Sequence, residues 1–261
     1  MTTVNLNDSI MFSFIAVGFI AFIKASTGGG YAILAMPLLA YKYGAIRAAA
    51  ILGICVVIVD VCLMVINKEQ LYLIKIKKIL TISVGAIFGV ITGTLFLEFI
   101  KTVYLNYTLM ILAYLYVFQY YYSRKKSTSC ADSSYLFANP IFDEVIGIVA
   151  GLYSGLLSFI CQAGGPPITI YFLRQELSKN EYIIHCMLTF FIINIIKLPG
   201  YFALNQFDYL TLKTVGMLTP ALLLGTMLGV TFNKYVSRSF LYGFSHLLLI
   251  IMTTFMLVDG L

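Results

Sequence analysis

The chain has 261 residues, of which 61% are hydrophobic and only 11% charged, with a mean hydropathy of +0.94. A water-soluble domain carries roughly 25% charged residues, so this chain has too little polar surface to cover itself and lipid must be its solvent. Its positive excess, +6 with a pI near 9.0, sits in short loops between apolar runs, the positive-inside pattern of membrane proteins and not that of a nucleic-acid-binding surface.

The first eight residues, MTTVNLND, contain no Lys or Arg, so no cleavable signal peptide is expected. A spanning helix needs roughly 20 apolar residues. Spans of that size are predicted at 9–26, 46–66, 78–98, 103–122, 141–160, 182–204, 209–232 and 239–258. Two apolar pieces, 31–42 and 166–173, are too short, reaching only about 12–18 Å, or half a bilayer. The longest polar linker, SRKKSTSCADSSYLFANP at 123–140, separates an N-terminal transmembrane repeat (1–122) from a C-terminal one (141–261).

The two halves share landmarks. TGGGYAI (27–33) aligns with QAGGPPI (162–168) at an offset of 135, and GVITGTLF (89–96) aligns with GTMLGVTF (225–232) at 136, where Gln70 also meets Gln206. If each short piece folds back as half of a hairpin, each half crosses the membrane an odd number of times and the repeats must be inverted. With the N-terminus outside, the inner side then receives 11 of the Lys and Arg residues and the outer side 4, with Lys24 and Lys197 left within the membrane. If each broken helix crosses once instead, the best orientation gives 8 against 7. The positive-inside rule prefers the hairpins. The expected fold is an all-α integral membrane protein of two inverted repeats. Each repeat is a glycine-broken hairpin (full helix plus half-helix) followed by three spanning helices. The linker is cytoplasmic and both termini are outside.

Irregular backbone at membrane depth survives only where protein buries it or a polar cavity receives it. Each glycine break ends one helix and starts another, leaving amides at a helix N-terminus that favour an anion. Lys24 stands one turn before Gly28, Gly29 and Gly30, and Thr27 and Gln162 occupy matching positions as side-chain donors. Around the second break, Ala163, Gly164, Gly165 and Pro166 complete the predicted site, and Pro166 and Pro167 enforce the interruption. Inverted repeats whose discontinuous helices meet near the midplane are a recurring plan of secondary transporters. Gly85, Gly89, Gly93, Gly225 and Gly229 are instead read as close helix packing.

GGG followed by a proline in the first half, and GGPP in the second, resemble the TauE/SafE-type sulfite exporter family, also called the toluene-sulfonate uptake permease family. The resemblance covers nearly the whole chain. It implies transport of small organic or inorganic anions, often sulfur-containing, such as sulfite and sulfonates. The family pattern reads GxGGG in the first copy and GxGGP in the second. Here Ser26 and Gln162 stand where the leading glycines would be.

Asp60, deep in ILGICVVIVDVCLM, is read either as a proton carrier or as a structural hydrogen-bonding group. With helix ends flush at the membrane surface, Asp60 and Lys197 fall about 13 Å apart in depth, which predicts separate roles. Lys197 then lines the outer part of an anion path or snorkels outward. Asn194, one turn before it, shares its face and is a further substrate-binding candidate. His185 is a second proton-coupling candidate, although packing is the plainer reading for it and for His246. Pro199-Gly200 marks a kink. Tyrosines and phenylalanines are read as interfacial and lipid-facing anchors. The five cysteines include no CxxC pair and read as buried hydrophobes, with no disulfide, metal or cofactor.

No HExxH or GxSxG occurs, and the two histidines are 61 residues apart, so no enzyme is expected. The reading is a secondary transporter of a small anion in the cytoplasmic membrane of a prokaryote, working by alternating access. The alternatives are an anion channel or a non-transporting assembly protein. Its partners are the anion and the bilayer, with proton coupling and oligomeric state left open.

Overall fold

The computed structural model describes residues 6–29, 32–99, 140–173, 175 and 177–232, and these are helical throughout apart from short connections. Their order is α1 (Leu6–Thr27), a 3-10 turn (Ala32–Leu34), α2 (Met36–Tyr43), α3 (Ala45–Ile66), a 3-10 segment (Lys68–Leu73), α4 (Ile76–Phe99), α5 (Pro140–Cys161), α6 (Gly165–Leu173), α7 (Lys179–Ala203) and α8 (Tyr209–Phe232). Five of these, α3, α4, α5, α7 and α8, are long and apolar enough to cross a membrane. The spans expected at 103–122 and 239–258, the linker up to residue 139, and His246 lie outside the described residues.

Two of the helices start on side-chain caps that the sequence supplies. Ser178 opens α7 with a capping box: its Oγ accepts from Glu181 N–H, and the Glu181 carboxylate accepts from Ser178 N–H. Asp208 opens α8, its Oδ1 accepting from Thr211 N–H at 2.8 Å. Between α2 and α3 there is one residue, Gly44, at φ +80, a conformation open to glycine at little cost.

Close packing is concentrated where helices of the two halves meet. On α4 and α5, Gly85 lies on Ile148 O, Gly89 on Leu152 O, Gly151 on Ile82 O and Gly155 on Ala86 O, with no room for a Cβ at any of them. On α1 and α8, Gly225 lies on Gly18 O and Gly229 on Phe22 O, and Ser26 Oγ donates to Gly229 O at 3.1 Å. Residue numbers rise together along both pairs, so each pair runs parallel. These are the backbone approaches that small residues permit between membrane helices.

α3 and α7 pair in the opposite sense. Gly53 faces the Tyr201 ring, Asp60 bonds Asn194, and Asn67 lies against Met187. Numbers rise on one helix as they fall on the other, so these two central helices are antiparallel. The same register puts Ala203, the end of α7, level with Ile51. α7 therefore stops about 9 Å short of the start of α3. At that end Arg47 Nη2 donates to Asp208 at 2.7 Å, bridging α3 to the start of α8.

The aromatic expectation needs correction inside the bundle. Phe159, Phe172 and Tyr201 are at most 1% exposed, and Phe159 stacks on Tyr201 with ring centroids 4.5 Å apart. They are core residues, whereas Tyr41, Tyr72 and Tyr209 are exposed near element ends. The aromatic run at 114–122 lies outside the described residues. Cys55, Cys161 and Cys186 are buried free thiols and Cys62 is half-buried.

Candidate functional site

Both helix breaks sit against α7 and are closed off differently. α1 ends at Gly28, whose N–H returns to Lys24 O at 2.9 Å with φ +71. α5 ends in an αL motif, with Gln162 N–H bonding Ser158 O, and the next amide, Ala163 N–H, reaches back to Leu157 O. The left-handed position of that motif, normally a glycine, is filled by Gln162 at φ +60. Such a conformation costs a non-glycine residue roughly 1–2 kcal/mol. Gly164 follows, held by Ser154 Oγ donating to its carbonyl at 2.6 Å, and α6 begins at Gly165. Of the first four N–H groups of α6, Pro166 and Pro167 supply none, which leaves those of Gly165 and Ile168.

Between the breaks lies a buried cluster of charge. The Lys24 ammonium is 2.7 Å from Asp60 Oδ1, with side chains 2% and 0% exposed. Asn194 Nδ2 donates to the other carboxylate oxygen at 2.7 Å. Among the described residues no further acceptor reaches the Lys24 nitrogen, and no further donor reaches Asp60 Oδ1. The Phe190 ring lies under Lys24, its centroid 5.9 Å from Nζ. One turn beyond Asn194, Lys197 is wholly buried. It donates to Gln162 Oε1 at 2.7 Å, Ser158 Oγ at 2.9 Å and Ser158 O at 3.4 Å. Gln162 Nε2 donates to Ala49 O at 2.8 Å and to the Tyr201 hydroxyl at 3.2 Å, and that hydroxyl donates to Phe159 O at 2.7 Å. Among the described residues, two lysines therefore stand with one carboxylate in a low-dielectric interior, where an unbalanced charge is costly.

Several expectations change here. Asp60 is neither unpaired nor remote from Lys197. The register of α3 against α7 puts Lys197 level with Val57, so the depth gap to Asp60 is about 4.5 Å and not 13 Å. The expected gap assumed flush helix ends, and the recessed end of α7 removes it. A direct Asp60–Lys197 ion pair is nonetheless not formed, since Lys24 and Asn194 hold the carboxylate. Lys197 does not snorkel outward but turns into the second break. The amide of Gln162 has both its donors and its oxygen engaged by protein groups. The Gly28 and Ala163 amides are likewise spent on closing the preceding helices. Gly164 is a packing position as well, since a Cβ there would lie 2.7 Å from Ser158 Cβ. Gly29 lies in the first break. The Thr27 side chain and Gly30 are outside the described residues.

His185 is set apart from this cluster. It lies nine residues before Asn194 on α7, about 13 Å along the axis. Its Nδ1 is 2.7 Å from Glu181 O, and its Nε2 accepts from Lys75 N–H at 2.9 Å. Those partners fix a neutral ring with its proton on Nδ1. Ser154, Ser158 and Tyr201 were not anticipated. The signal available for the serines was two hydroxyls four residues apart on an apolar helix, facing the break that follows it.

Apolar helices wrapped around a wholly buried charged cluster at two helix interruptions define a multi-pass membrane protein with a polar interior, the architecture of membrane transport. The sequence matches the family model described as Sulfite exporter TauE/SafE over residues 13–256, nearly the whole chain. The chain belongs to the TauE/SafE sulfite exporter family, whose members are membrane transporters of sulfite and related anions. Neither a curated protein nor a solved structure matches the chain.

Proposed function

We propose that this protein is a secondary transporter of a small sulfur-containing anion, sulfite or a sulfonate, working by alternating access around a midplane site between its two helix breaks. The observation that carries this reading is the buried pair of lysines, one beside each break, of which only Lys24 is paired with a carboxylate among the described residues. An oxyanion entering between Lys24, Lys197 and Asn194 would supply the missing negative charge and accept their hydrogen bonds. The amides of Gly165 and Ile168 at the start of α6 are further donors, and Gly29, Gly30 and Thr27 complete the site from the first break.

Inverted repeats (1–122 and 141–261, joined by a cytoplasmic linker) are part of the same proposal. Their equivalent central helices, α3 and α7, run antiparallel, as inversion requires, whereas repeats of single-crossing broken helices would make them parallel. Lys75, Lys77 and Lys78 pair with Glu181, Glu144 and Asp143 at one end of the bundle, which is the proposed cytoplasmic side. On this assignment both termini face outward from the cytoplasmic membrane of a prokaryote.

The test is uptake of radiolabelled sulfite, and of sulfonates, into liposomes holding the purified protein. Saturable uptake with trans-stimulated exchange is expected. Saturable-free flux without counterflow would make the protein a channel, and an absence of both flux and binding for sulfite, sulfonates and carboxylates would overturn the anion reading.

A further inference from the structure

We infer that Lys197 is the coupling group of this site, taking up one proton as each monovalent anion binds and releasing it as the anion leaves. The inference rests on the anion reading above and specifies its coupling.

The charge inventory carries it. With all three ionisable groups charged, Lys24 and Asp60 cancel, and among the described residues Lys197 is left as a full positive charge with neutral partners only: Ser158, Gln162 and a backbone carbonyl. Fully buried, that charge is unfavourable while the site is empty. A buried lysine answers by giving up its proton. A bound monovalent anion reverses the balance, because the protonated lysine then restores neutrality. The step is amine plus proton plus anion giving an ammonium–anion pair, with no other group changing charge.

The contacts suit both states of the amine. Three acceptors surround Nζ, matching the three protons of an ammonium. When the amine is neutral it has two protons and one lone pair, and the Ser158 hydroxyl, which can donate as well as accept, turns to supply a donor. Of the described charged groups in this cluster, Lys197 is the one without an oppositely charged partner. Lys24 on α1 and Asp60 on α3 act on it electrostatically and are paired with each other; Cys161 on α5 and Tyr201 on α7 are buried weak acids. α4 and α6 also pack on α7, but their described titratable side chains, Lys77, Lys78 and Tyr171, belong to the other half of the helix. His185 there already has both ring nitrogens bonded.

The test is proton uptake on binding by the full chain in detergent, in weakly buffered solution with a pH indicator. Methanesulfonate is the probe, because it stays fully ionised and contributes no proton of its own. The wild type is expected to take up about one proton per anion on the alkaline side, with its apparent Kd rising about tenfold per pH unit there. Uptake falls to none at pH values where Lys197 is already charged. Lys197→Arg, which holds its charge at every accessible pH, is expected to bind without proton uptake and with a flat pH profile.

Binding by the wild type with no uptake and a flat profile from about pH 6 to about pH 10 would overturn the inference while leaving the anion reading intact. Undiminished uptake by Lys197→Arg would place the proton on another group and overturn it equally. The wild-type measurement decides even if the arginine variant fails to fold. Folded wild type that binds no sulfonate, sulfite or carboxylate at any pH would remove the anion reading itself and the coupling with it.

Discussion

Asp60→Asn keeps the shape of the side chain and removes only the charge that the buried cluster depends on. In the native protein the Lys24–Asp60 pair is 2.7 Å apart with both side chains essentially unexposed, and Asn194 takes the second carboxylate oxygen. The variant leaves the Lys24 ammonium without a counter-ion. Breaking a buried pair in this way costs about 3–5 kcal/mol, whereas an exposed pair would lose about 0–1 kcal/mol. In Lys24→Met/Asp60→Asn the orphaned charge is gone, so the double variant should recover most of that loss. Reversible unfolding in mixed detergent–SDS micelles, run at low and high salt, reads all four corners of the cycle. The cost should be insensitive to salt, because bulk ions screen buried pairs weakly. A loss below about 1 kcal/mol for Asp60→Asn, or a double variant no more stable than the single one, would refute the picture of a buried, mutually dependent pair.

Other expectations follow from the same packing and hydrogen bonds. Gly89→Leu drives a side chain into Leu152 O and Leu156 N and should abolish the folded, monodisperse peak in size-exclusion chromatography. Gly216→Ala, with no atom within 4 Å of its added Cβ, should raise stability by about 0.5–1 kcal/mol in thermal unfolding, through helix propensity. Tyr201→Phe keeps the stack on Phe159 but strands Phe159 O and one Gln162 donor, so a loss of about 1–3 kcal/mol is expected by SDS titration. The Asp208 carboxyl is held below its ordinary range, first by the Thr211 N–H and then by Arg47. Its contribution is complete above the unfolded carboxyl value of about 4 and is lost as pH falls through the lowered folded value. A thermal-stability profile on the acid side should therefore flatten in Asp208→Asn.

Element positions were legible because charge and glycine bracket the apolar runs. Expected spans at 46–66, 78–98, 141–160, 182–204 and 209–232 differ from α3, α4, α5, α7 and α8 by three residues at most, and 166–173 lies within α6. The piece at 31–42 was half legible: a 3-10 turn at Ala32–Leu34 precedes α2, because Pro37 sits in the first turn of the helix and helps set its start. Packing glycines were legible for the same reason, since GxxxG spacing speaks directly of a helix face. What the sequence did not reveal is register. Whether Asp60 meets Lys24, Asn194 or Lys197 depends on how far α7 slides along α3, and no single helix encodes that. Gln162 was legible as polar and misplaced as a free donor: its left-handed backbone and its side-chain bonds both arise from neighbours on α3, α5 and α7.

The polar run at 123–140 divides the sequence, but the described helices on either side of it mesh with one another. α4 is locked backbone-to-backbone onto α5, and α1 onto α8, so each tightly meshed pair borrows one helix from either side of the linker. A chain cut within the linker would thus present two fragments with large reciprocal interfaces, each supplying what the other lacks. Rigid-body displacement meets the same restriction. Each meshed pair must travel as one body, and relative sliding is left to the less tightly glycine-locked contacts around α3 and α7, the helices that carry Asp60 and Lys197.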